Sequence, residues 1–137
     1  MLVLAALVQF GCRATWTHES EARLLRAAPG KPMLRTELSF GLSRRDGSSV
    51  TDDEWRAFLR TEVTPRFPNG LTVLDSHGQW RGADETIVEE ASRVVILLYD
   101  PSDRTASTRI EEIRSVYKAR FNQESVMRAD SVERLAF

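Results

Sequence analysis

The stretch TPRFPNGLTVLDSHGQWRG, residues 64–82, ends one regular element and begins another, and its punctuation decides the fold. Pro65 has no amide to donate and disfavours the helical region at Thr64, so a helix arriving from the N-terminal side ends near Val63. Pro65 and Pro68 stiffen the connection, Phe67 can anchor it, and Asn69-Gly70 tolerates a positive φ. The apolar run from Leu71 to Leu74 then opens a strand. Gly78 reads as a bulge or a close backbone approach in that strand, before the chain enters a polar turn.

Upstream, Thr51-Asp52-Asp53-Glu54 has the form of a capping box, with a hydroxyl at the N-cap and a carboxylate three residues on. The helix it starts carries Trp55, Phe58, Leu59 and Val63 at i, i+3, i+4 and i+8, one apolar stripe for packing on a sheet. Before it, SRRDGSS is rich in turn formers. In MLRTELSFGL, Leu34, Thr36, Leu38, Phe40 and Leu42 share one parity, the two-residue period of a half-buried strand.

Downstream, SRVVILLY is apolar on both parities, so both faces of that strand are expected to be covered. After the loop PSDRTAST, Ile110, Ile113, Val116, Tyr117 and Phe121 keep helical spacing, with Glu111 and Glu112 assigned to the first turn and Lys118 and Arg120 to the last. Ser125 to Ala129 can form a fourth strand, which Val132, Leu135 and Phe137 extend or brace. The resulting order, βαββαβ, predicts an α+β, ferredoxin-like fold: a four-stranded antiparallel sheet with both helices on one face.

A chain of 137 residues that is 42% hydrophobic suits one domain with a core of its own. The formal net charge of -1, with both signs mixed along the chain, supplies no field for a polyanion, and nucleic acid is not an expected partner. One cysteine excludes an internal disulfide and cysteine-rich metal sites. That cysteine, Cys12, follows MLVLAALVQFG, an apolar opening too short to span a bilayer but of signal-core length. Residues 1–12 therefore read as a signal or lipoprotein-like leader with Cys12 as the lipidated residue, residues 13–33 as a polar tether and residues 34–137 as the domain. Export to the periplasm or envelope is expected, with membrane contact only through that lipid anchor. A buried N-terminal element in a cytoplasmic protein is the alternative.

The pieces TELSFGL, the helix with Trp55 and Phe58, TPRFPNGLTVLD with GQWRG, and YKARFNQESVMR occur in an order that resembles the bacterial family catalogued as domain of unknown function 3574. The resemblance spans residues 36–128. It implies a small bacterial protein, often with an export or lipoprotein-like leader, and it carries over no activity and no catalytic residues.

Candidate chemistry lies in few places. Glu37 has the parity opposite to the apolar row of its strand, either toward a ligand on the open sheet face or in a cross-strand pair with an arginine. Asp75 and His77 share a parity, so the acid could orient the imidazole; a solvated strand-end histidine is the plainer reading. Gln79, Trp80 and Arg81 put an amide, a ring and a planar cation together, either as an arginine stacked on tryptophan or as a pocket receiving a carboxylate or phosphate. Gln123, Glu124 and Ser125 either satisfy loop amides or line the same pocket. No phosphate loop, dinucleotide fingerprint, nucleophile elbow or paired metal ligands occur, and neither cofactor nor metal is expected. Two function classes follow. One is a non-catalytic envelope module binding a small molecule or a protein through Asp75, Gln79, Trp80 and Arg81 and the open sheet face. The other is a small dimeric enzyme with Glu37 and His77 as acid and base, which requires those two side chains to converge. Because the second face of SRVVILLY needs a cover, a homodimer packed sheet to sheet is expected.

Overall fold

The computed structural model describes residue 23, residues 27–81 and residues 85–136. The leader, Cys12 and most of the tether lie outside the described residues. Strand β1 (Lys31–Gly41) begins inside the segment read as tether. Helix α1 (Asp52–Phe58) runs on through a π-helical turn (Leu59–Val63), and β2 (Thr72–Arg81) and β3 (Ile87–Tyr99) form a long hairpin. Helix α2 (Ala106–Phe121) and β4 (Met127–Leu135) complete the βαββαβ order. The sheet is antiparallel throughout, in the order β2-β3-β1-β4.

Pro32 is tolerated in β1 because only β4 pairs with it there; pairing to β3 starts at Leu34, opposite Tyr99. The register then alternates faces. Thr36, Leu38 and Phe40 of β1 lie with Val95, Leu97 and Tyr99 of β3 beneath the helices, and all six are buried. The capping box forms as the sequence predicts: Glu54 N–H donates to the Thr51 hydroxyl, and the Glu54 carboxylate accepts from the Thr51 amide. The Thr64 amide reaches back five residues to Leu59, and Pro65 ends the helix.

The helices close over Phe40, Trp55, Phe58, Tyr117 and Phe121, which meet mostly edge to face, with Phe40 and Tyr117 centroids 4.7 Å apart. Edge-to-face contact adds about 0.5–1.5 kcal/mol per pair beyond area burial. Among the described residues, Thr36 brings a buried hydroxyl into this core beside that of Tyr99. The Thr36 hydroxyl donates to Asp130 Oδ1 at 2.5 Å and stands 2.9 Å from the Tyr99 hydroxyl, which acts as its donor.

Two expectations need correction. Gly78 makes no bulge, because the β2–β3 ladder is continuous from Thr72 opposite Ile96 to Arg81 opposite Ile87. Helix α2 begins at Ala106, so Glu111 and Glu112 fall beyond its first turn, which holds no acid. Glu111 instead pairs with Arg114 and Arg128. Val132 and Leu135 extend the fourth strand, one of the two roles expected of them: they lie in β4, hydrogen-bonded along the edge of β1. As a result the second face of β3 is not covered by the described residues. Val94 and Ile96 are half-buried there, and Leu98 is exposed.

Candidate functional site

The open sheet face carries Arg35, Glu37, Ser39 and Gly41 of β1, Glu90, Ser92, Val94, Ile96 and Leu98 of β3, and Leu74, Ser76 and Gly78 of β2. At the end where β1 finishes, this face becomes the floor of a cleft of about 640 Å³. Its floor includes Ser39, Gly41, Glu90, Ser92 and Met127; its walls are the loop Ser43-Arg44-Arg45 and the corner Asn122 to Ser125.

Each wall is positioned by backbone chemistry. Asn122 ends α2 in the left-handed conformation at φ 53°, turning the chain so that Gln123 and Glu124 come to the rim. Gln123 Nε2 donates to the Ser43 carbonyl at 2.6 Å, and the Ser43 amide donates to Glu90 Oε1 at 3.1 Å. Ser43 is thereby held on both sides. Tyr117 donates its hydroxyl to the Gly41 carbonyl at 2.8 Å. Burial first, and the nearby Glu90 charge second, push the Tyr117 phenol well above its ordinary range.

Gly41 explains how Glu90 fits. A Cβ at residue 41 would stand 2.5 Å from Glu90 Oε1 and 2.9 Å from its Cδ, so the carboxylate occupies space that only glycine leaves open. The cations of the cleft have carboxylates of their own. Arg44 pairs with Glu54 at 2.8 Å and Arg45 with Glu124 at 2.9 Å. The Glu54 carboxyl is lowered to about 2, chiefly by the Thr51 amide and then by Arg44. Glu89 accepts from Gln79 Nε2 at 2.9 Å. Among the described residues, Glu90 has the Ser43 amide as its hydrogen-bond partner and no ion pair. It is a half-buried carboxylate with acceptor capacity left for a ligand.

Glu37, Asp75, His77, Gln79 and Arg81, nominated from sequence, fall outside the cleft lining. Glu37 pairs with Arg35 of its own strand rather than across strands, on the open face but outside the cleft lining. Position 72 pairs with Ile96, as does Glu37, so odd-numbered His77 lies on the opposite face from Glu37. The convergence that an acid–base pair requires is not met. Asp75 accepts from Arg93 Nε at 3.1 Å instead of orienting His77, and Arg93 also pairs with Asp52 and stacks over Trp55 at 5.3 Å. Asp75 thus belongs to a clamp at the start of α1. Gln79 is committed to Glu89 and Arg81 is exposed, and neither lines the cleft; positions 80 and 81 fall on opposite faces of β2. Gln123, Glu124 and Ser125 line the cleft, without Gln79 or Arg81, and Gln123 satisfies a loop carbonyl rather than the loop amides expected of that corner.

A second cleft, of about 580 Å³, opens at the other end of the sheet between Lys31, Phe67, Leu98, Tyr99 and Arg109. Its arginines are committed, Arg66 to Glu62 and Glu112, and Arg109 to Asp103 while it stacks on Phe67.

Residues 35–137 match the sequence profile of a family described as "Protein of unknown function (DUF3574)", and the chain belongs to that family. A search of curated proteins gave no match. Among solved structures, the chain is similar to a phage SAM lyase in complex with S-methyl-5'-thioadenosine, at 16% identity and a TM-score of 0.58, over 75% of this chain and 82% of that one. It is likewise similar to a phage SAM lyase in the apo state, at 17% identity and a TM-score of 0.57, over 77% and 84% of the two chains. At these identities the likeness is one of fold.

Proposed function

We propose that this member of the DUF3574 family binds a small, hydroxyl-bearing or positively charged organic molecule of nucleoside size in the cleft at Glu90. The observation that carries the reading is the Glu90 carboxylate, fixed by the Ser43 amide and seated against Gly41, in a cleft whose arginines are already paired. A carboxylate so placed can accept from adjacent ribose hydroxyls or meet a cation, while Val88 and Met127 offer apolar contact for a flat ring. The volume lies within the usual range of small-molecule sites, about 300–1,000 Å³. The fold's likeness to a lyase seen with S-methyl-5'-thioadenosine makes thioether nucleosides and their sulfonium parents the first class to test. The reading is one of binding, because Glu37 and His77, the pair needed for acid–base chemistry, are divided between two faces.

Isothermal titration calorimetry with S-methyl-5'-thioadenosine and S-adenosylmethionine tests it. Saturable binding is expected, weakened about tenfold or more by Glu90→Gln, since a hydrogen bond to a charged group contributes about 1.5–3 kcal/mol. No binding of either compound at millimolar concentration, or equal binding by the variant, would remove the reading.

A further inference from the structure

The open sheet face away from the cleft is also unusual for a surface. Leu74 and Leu98 on it are 49% and 36% exposed, and Val94 and Ile96 between them are half-buried. The pairing register makes these neighbours: Leu74 stands opposite Val94, Ile96 opposite Glu37, and Leu98 opposite Arg35. Arg35 and Glu37 lie side by side near the centre of this patch and pair with each other, and Lys31 and Glu133 add one cation and one anion at its end. The face is therefore apolar at its middle, and its two cations and two anions balance. A second copy turned over by a two-fold axis meets no like-charge barrier, and each Arg35 can exchange partners with the other copy's Glu37.

The size of the patch fits the same occupant. Four strands spaced about 4.8 Å apart, over some six to seven residues at about 3.4 Å each, give a footprint of about 400–450 Å² per copy. Side-chain relief brings the total buried to about 1,000 Å², below the roughly 1,200–2,000 Å² of stable interfaces and in the range of weak ones. An interface of that size and composition is one that forms and dissociates with concentration.

We infer that this face is a homodimer interface, packed sheet to sheet around Arg35 and Glu37. The inference is independent of what the Glu90 cleft binds. Sedimentation velocity of the full chain over a micromolar to submillimolar range is expected to show a concentration-dependent shift from the 15.5 kDa monomer to twice that mass. Leu74→Glu and Leu98→Glu, both at exposed positions, should each weaken association more than tenfold while leaving the thermal midpoint within a few degrees. Arg35→Glu should also weaken it, and Arg35→Glu with Glu37→Arg should restore it. A monomer at every concentration would overturn the inference. So would a dimer indifferent to Leu74→Glu and Leu98→Glu, which would place association at the β2 or β4 edge instead. Calorimetric titration of a monomeric variant separates the two proposals, since a dimer that binds no ligand refutes only the binding reading.

Discussion

Gly41→Ala separates the stability of the domain from the use of its cleft. Gly41 does not have a positive φ, so alanine suits the backbone, and the conflict is confined to Glu90. The new Cβ would stand 2.5, 2.9 and 3.1 Å from Oε1, Cδ and Oε2 of that residue. Ordinary contact begins near 3.5 Å, so the carboxylate must move by about 1 Å. That movement breaks its bond to the Ser43 amide. The bond is exposed and water replaces it, so the loss is about 1 kcal/mol, as for an ordinary hydrogen bond rather than the larger value of a desolvated one to a charge. Replacing glycine restricts the unfolded chain and returns about 0.4–1 kcal/mol. The two nearly cancel, so the thermal midpoint should stay within about 8 °C of wild type. Ligand affinity should nevertheless fall about tenfold, because the acceptor no longer stands where the cleft presents it. Differential scanning fluorimetry and calorimetric titration on the same samples read both quantities. Unchanged affinity would refute the placement of Glu90 as the recognising group, and a collapse in stability would show that the carboxylate holds the fold.

Thr36→Val keeps the volume of a buried side chain but removes the hydroxyl between Tyr99 and Asp130. A loss of about 1–3 kcal/mol, seen as a lower midpoint in denaturant unfolding, is expected, and an unchanged midpoint would show that the pair reorganises freely. For acid, the Glu54 carboxyl is lowered in the fold to about 2 from an ordinary 4.5, so its stabilisation is full above pH 4.5 and lost as pH falls toward 2. Unfolding curves of Glu54→Gln should lose that part of the acid dependence, and a wild-type acid profile in the variant would count against the capping box as its source. For alkali, the Tyr117 phenol is raised above 10, so the stability linked to its neutral form is full below pH 10 and declines above it. Tyr117→Phe should flatten that decline, and absorbance at the phenolate band should show delayed ionisation in the folded wild type.

Local chemistry made most of the fold legible. The parity of Leu34, Thr36, Leu38 and Phe40, the Thr51–Glu54 box and the stop at Pro65 each act over a few residues, and each appears as read. The cleft is a long-range object. Its floor exists because Ser39 and Gly41 pair with Val94 and Ser92, and its walls because α2 ends where the β1–α1 loop passes. Glu90 sits in a run that reads as the approach to a strand, and nothing near it in sequence tells of Ser43 or Gly41. The one available signal was Gly41, a glycine in a strand of bulky residues, which marks a close approach. Asp75 and His77 share a face as parity implies, but the long-range Arg93 takes the carboxylate. Whether Glu37 shares that face depends on pairing through β3, which no single strand reveals.

The most direct test of the account is chemical-shift mapping of the isotopically labelled protein during titration with S-methyl-5'-thioadenosine. The account predicts that the largest shifts fall on the amides of Gly41, Ser43, Glu90, Ser92 and Gln123, around one cleft. Shifts gathered instead at Phe67, Gly70, Leu98 and Tyr99 at the opposite end of the sheet, or none at all, would contradict it.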